Sequence, residues 1–119
     1  MVGLFKHPKR KIRKLISQGN YEDALQLGKN LESDYSDDHD FMFILGSVYF
    51  LVDDPKKALP YFEKAFKLNP DDIEMLRLKT NVHLALEQKS EAIHCCEHIL
   101  KIDPKNDEAH DLLDQLERL

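Results

Sequence analysis

Two histidines, His94 and His98, bracket a pair of cysteines in the run His94-Cys95-Cys96-Glu97-His98. On a helix, side chains at i and i+4 share a face, so His94 and His98 could chelate a divalent ion such as zinc or nickel. A structural zinc site needs four converging ligands, and two histidines supply half of them. The expectation is therefore a solvated helix face and no metal centre. Helical neighbours at i and i+1 diverge, and a bond between adjacent cysteines would be strained. Cys95 and Cys96 read as free thiols, which fits a reducing, cytoplasmic setting.

Other chemistry is sparse. Gly3, Gly19, Gly28 and Gly46 are scattered, so no glycine-rich phosphate loop exists. Neither Gly-x-Ser-x-Gly nor His-Glu-x-x-His occurs. The carboxylates are dispersed in a pattern that solvated helix faces explain. The expectation is a protein without enzymatic activity or cofactor.

The elements that hold these residues follow from composition and period. The chain has 119 residues, 42% hydrophobic and 33% charged, with four Gly and five Pro, as expected of a single helix-rich domain. No apolar run approaches the roughly 18 residues of a membrane span. The first residues lack the apolar core of a secretory signal, and Val2 rather than Gly argues against myristoylation. The net charge of −5 conceals an asymmetry: Lys6, Lys9, Arg10, Lys11, Arg13 and Lys14 form a basic head, and acids outnumber bases in the rest. Such a helix could meet nucleic acid or an anionic surface. The acidic body and the absence of Trp favour a solubilising face that also attracts that body.

Ala24, Ala58 and Ala92 stand 34 residues apart, as do Leu15, Tyr49 and His83, and Pro70 and Pro104. The phrases Glu22-Asp23-Ala24-Leu25, Lys56-Lys57-Ala58-Leu59 and Ser90-Glu91-Ala92-Ile93 repeat in step with no insertion. Each period predicts a helix pair with an apolar stripe that it cannot bury alone, so neighbours must stack. Expected helices are 8–18, 21–34, 38–51, 55–68, 72–86, 89–102 and 107–118. Pro60 falls inside the fourth, where an interior proline costs about 3 kcal/mol.

Within His39–Asp72, Leu45-Gly46, Tyr49, Ala58, Phe62, Ala65 and Pro70 carry a pattern that resembles the tetratricopeptide repeat, with Met42 in place of its leading Trp. The resemblance implies an all-α, right-handed superhelix of about seven antiparallel helices in one domain. Its repeats would be about 5–38, 39–72 and 73–106, closed by a capping helix 107–119. The first repeat departs from the pattern at Lys11, Ile12, Gly28 and Ser36, and the third at Lys79, Thr80, His83 and Cys96. Cys96 occupies a buried aromatic position and should be core, and His83 should pack in place of Tyr.

The family's function implies a protein-interaction scaffold whose concave groove holds a peptide segment or helix of a partner. Here that groove would be lined by Lys9, Arg13, Asp40, Phe43, Ser47, Phe50, Arg77 and Asn81, with Gln115 near the far end. Phe43 and Phe50 lie two turns apart on one face; they suit a hydrophobic, acidic peptide or else pack as core. Family members that clamp a chaperone's terminal carboxylate use five positions, here Lys9, Arg13, Ile44, Glu74 and Leu78. Only Lys9 keeps the required type, and Glu74 would repel a carboxylate. The alternatives are a homodimer joined through apolar end faces, and nucleic-acid or anionic-surface binding through the basic helix.

Overall fold

The computed structural model describes residues 7–119; Leu4, Phe5 and Lys6, with the start of the first repeat, lie outside them. Seven α-helices follow in order: α1 (Pro8–Ser17), α2 (Tyr21–Leu31), α3 (His39–Leu51), α4 (Pro55–Leu68), α5 (Ile73–Ala85), α6 (Lys89–Ile102) and α7 (Asp107–Glu117). The starts are written in side chains. Asp38 accepts from the Phe41 N–H at 3.0 Å and Asp54 from the Lys57 N–H at 3.2 Å. Asp72 caps α5 through the N–H groups of Glu74 and Met75, and Asn106 caps α7 through that of Ala109. Each satisfies donors that a helix N-terminus leaves unpaired.

The turns inside the hairpins share one geometry. Gly19, Asp53 and Glu87, each 34 residues from the next, have φ of 76°, 61° and 58°. The following N–H groups, of Asn20, Asp54 and Gln88, donate to the carbonyls of Leu15, Tyr49 and His83 at 2.8–2.9 Å. A left-handed residue with a six-to-one backbone bond closes a helix and turns the chain back.

The second element of the first hairpin differs from expectation. A helix over 21–34 was expected, but α2 stops at Leu31 and a 3₁₀ helix (Glu32–Tyr35) follows. This tighter winding accompanies the seating of the Tyr35 ring on Phe41, stacked at 4.9 Å. Pro60 does lie inside α4, on its exposed side.

Each hairpin packs on the next, α2 on α3 and α4 on α5, and α7 lies on α6. The core runs through the stack from Ile12 by Phe41, Met42 and Phe62 to Met75 and Leu76. Phe62 lies over Gly46, where an added Cβ would stand 3.0–3.2 Å from its ring. The first helices also touch one another, α3 meeting both α1 and α5, whereas the second helices do not pack comparably. The stack is therefore tighter along α1, α3 and α5, and that side is its inner face. The extents, 49 × 25 × 21 Å, are those of a rod. The radius of gyration is 15.2 Å, against about 13.5 Å for a compact domain of this length.

Candidate functional site

The inner face begins with a cluster of paired charges. Arg13 grips Asp40 with two bonds from one nitrogen, at 2.8 and 2.9 Å. Lys9 meets Asp38 at 3.0 Å and Asp40 at 3.6 Å. The hydrogen bond to Asp38 raises the Lys9 pKa above its usual 10.5, against the opposing effect of burial. Burial pushes Asp38 upward, but the bonds from Lys9 and the Phe41 N–H outweigh it and hold the carboxyl below 3.8. These two cations, expected to face a ligand, are satisfied by the protein's own acids. Asp38 was not foreseen in this role, because its pairing depends on how α1 meets α3.

The middle of the face belongs to α3. Phe43 is half-buried, its ring edge-on to Phe62 with centroids 5.9 Å apart. Phe50 is also half-buried against the core. Each aromatic is thus packed against the core and remains partly exposed. Ser47, between them, donates its hydroxyl to the Phe43 carbonyl at 2.8 Å.

On α5, Arg77 bonds Glu74 at 2.6 and 3.2 Å. That bond, with the added field of Glu74 and Glu108, raises its pKa despite partial burial. Asn81, half-buried one turn on, has no side-chain hydrogen bond among the described residues. Arg77 and Asn81 stand with Glu108 around a narrow cleft of about 20 Å³ between α5 and α7. Buried Thr80, Cys96, Ile99 and Ala109 lie beneath. Glu108 was missed, although the period reveals it: Asp40, Glu74 and Glu108 are 34 residues apart, at the second position of α3, α5 and α7.

The five positions of a terminal-carboxylate clamp are not equipped for that role. Ile44 is buried in the core, Leu78 packs against it, and Glu74 is an acid bound to Arg77. Lys9 and Arg13 are occupied as described.

The histidine-cysteine run resolves into separate parts. Cys95 and Cys96 are free and both buried. His94 is exposed, while His98 binds Asp71 at 3.2 Å and sets its ring edge-on to Phe66. No group of three or more potential metal ligands gathers among the described residues. His83 is buried, as expected of a packing residue, and bonds Gln88 at 2.8 Å.

A family model for the tetratricopeptide repeat matches residues 49–116. The chain belongs to that family. Solved tetratricopeptide repeat structures share its fold. One is the first such domain of Spaghetti (RPAP3) bound to an HSP90 peptide, SRMEEVD. It is 22% identical with a TM-score of 0.84, over 93% of this chain and 88% of that one. The second such domain of human RPAP3, in complex with an HSP70 peptide, is 16% identical with a TM-score of 0.82, over 92% of each chain. MamA is 15% identical with a TM-score of 0.83, over 94% of this chain and 63% of the other. At such identities the fold is what is shared. No curated protein sequence matches this chain. Among the described residues, no helix of this tetratricopeptide repeat protein is long and apolar enough to cross a membrane.

Proposed function

We propose that the chain is a non-enzymatic scaffold that holds a segment of a partner protein along the inner face of α1, α3, α5 and α7. The reading rests on the partly exposed Phe43 and Phe50, two turns apart on a helix already packed into the core. Large aromatics that are fixed on one side lose little entropy when a partner covers the other. Lys9, Arg13, Asp40, Ser47, Arg77 and Asn81 surround them, and Asn81 offers an amide without an internal partner.

The charges of the face are largely paired with one another, Lys9 and Arg13 with Asp38 and Asp40, and Arg77 with Glu74. A largely apolar segment is therefore favoured, since these pairs leave little unbalanced charge to select its flanks.

Affinity purification with the wild-type chain and with Phe50→Ser tests this. The substitution should abolish capture of the partner at unchanged helicity by circular dichroism. Equal capture by both proteins would refute the groove.

Self-association has weaker support. Leu68 and Ile102, again 34 residues apart, are 42% and 37% exposed, and Leu119 is 88% exposed. Leu51 and Val52 are also exposed, and no such residue belongs to the aromatic pair on which the first reading rests. The two free thiols suit a reducing compartment, and we place the protein in the cytoplasm on that ground.

A further inference from the structure

The outer side of the stack carries a cleft lined by lysines. Between α2 and α4 lies an open cleft of about 390 Å³, walled by Lys29 of α2 and by Lys56, Lys57 and Lys64 of α4. All four lysines are exposed. Among the described residues only Lys57 has an ion-pair partner, Asp54 at 4.0 Å. The base of the cleft is Tyr49 and Tyr61, stacked at 5.5 Å with an interplanar angle of 16°. Glu32, the one carboxylate of the lining, accepts the Tyr61 hydroxyl at 2.7 Å.

Two local choices at this cleft run against helix energetics. Lys56 and Lys57 occupy the first turn of α4, where the positive end of the helix dipole disfavours cations. The equivalent positions of the neighbouring hairpins hold Glu22-Asp23 and Ser90-Glu91. Pro60, in the same lining, removes a backbone hydrogen bond from the interior of that helix. Sequences depart from local preference chiefly where function demands it. The protein as a whole carries −5, so a cationic cleft is not a by-product of a basic surface.

We propose that this cleft docks an acidic segment of a partner protein, one rich in Asp and Glu. The cations are lysines, compact charges on flexible stems, without the guanidinium fork that grips a phosphate at two points. Spaced carboxylates along an extended segment match them better. Nucleic acid is disfavoured because Tyr49 is buried and Tyr61 only partly exposed, which leaves little ring face for a base to stack on.

The experiment uses the full chain and a fluorescein-labelled peptide of alternating Glu and Ser, read by anisotropy. Alongside run the Gln-Ser peptide and a labelled oligothymidine. The wild type should bind the acidic peptide, more weakly as salt rises, and at least about tenfold better than the neutral one. Lys56→Glu with Lys57→Asp installs the charge pattern of the first hairpin and relieves the dipole conflict. It should abolish binding with the melting temperature unchanged or raised, so that loss cannot be ascribed to unfolding. Phe50→Ser, which disables the inner face, should leave this binding intact. Equal binding by wild type and the lysine variant, no binding of the acidic peptide, or tighter binding of oligothymidine would each overturn the proposal.

Discussion

His39 Nε2 lies 2.7 Å from Asp72 Oδ2, across the full length of one repeat. The other ring nitrogen of His39 stands 3.0 Å from the Ala65 carbonyl in the last turn of α4. Since Asp72 also caps α5, one imidazole joins the start of α3, the end of α4 and the start of α5. His39→Ala should lower stability by about 1–2 kcal/mol, as expected when a partly buried polar contact is lost. His94→Ala, at an exposed position, should change it by less than about 0.5 kcal/mol. Thermal unfolding followed by circular dichroism distinguishes the two.

The Lys9–Asp38 pair sets a pH dependence with a definite sign. The Asp38 pKa is lowered on folding, so its contribution is present above the unfolded value of 3.8 and fades as pH falls through the folded value. The Lys9 pKa is raised, so its contribution holds below 10.5 and is lost as pH climbs through the folded value. Asp38→Asn keeps a good capping side chain while removing the charge. It should destabilise the protein at neutral pH and lessen the loss of stability below pH 3.8, as measured by urea denaturation at several pH values.

Glu87 has a left-handed backbone without being glycine. Such a conformation costs a side-chain-bearing residue roughly 1–2 kcal/mol. Glu87→Gly should therefore stabilise the protein by up to about 1 kcal/mol after the greater freedom of unfolded glycine is deducted. Gly19→Ala should do the reverse by a similar amount. An added Cβ at Gly19 meets nothing within 4 Å, so the penalty would be purely conformational. Denaturation midpoints of the two variants should move in opposite directions.

Burial pushes the Cys96 thiol up to about 11, and burial likewise raises that of Cys95. Thiolates, the reactive species, are scarce at such positions near neutrality. A thiol reagent at pH 8 should react with neither cysteine in the native protein and with both in denaturant. Rapid native labelling of either would contradict the packing of α6.

Helix positions were legible because Pro8 and Asp54-Pro55 mark helix starts through local chemistry, whereas the caps Asp72 and Asn106 emerged only in the structure. The burial of Tyr49, Phe62 and Cys96 followed from the resemblance to the tetratricopeptide repeat. What escaped depends on how separate helices approach each other. Lys9 finds Asp38 only where α1 meets α3, and His98 finds Asp71 across a gap of 27 residues. For the same reason the charge of the inner face could not be judged from a list of its residues. The early end of α2 was hidden because Glu32–Tyr35 lacks a glycine or proline to announce it.

Gly46 faces Phe62 across the second hairpin, and both are buried. At the same two positions the first hairpin has Ile12 with Gly28, and the third has Thr80 with Cys96, all buried. The second hairpin fills its glycine from within, but the space beside Gly28 is taken by Leu45 of α3, in the next hairpin. Bulk is therefore matched between neighbouring hairpins as well as inside one. Grafting α1 in place of α3 would force Ile against Phe62, and grafting α4 in place of α2 would drive Phe into Leu45. The unit of inheritance here is larger than one hairpin, because the first and second are cut to fit each other.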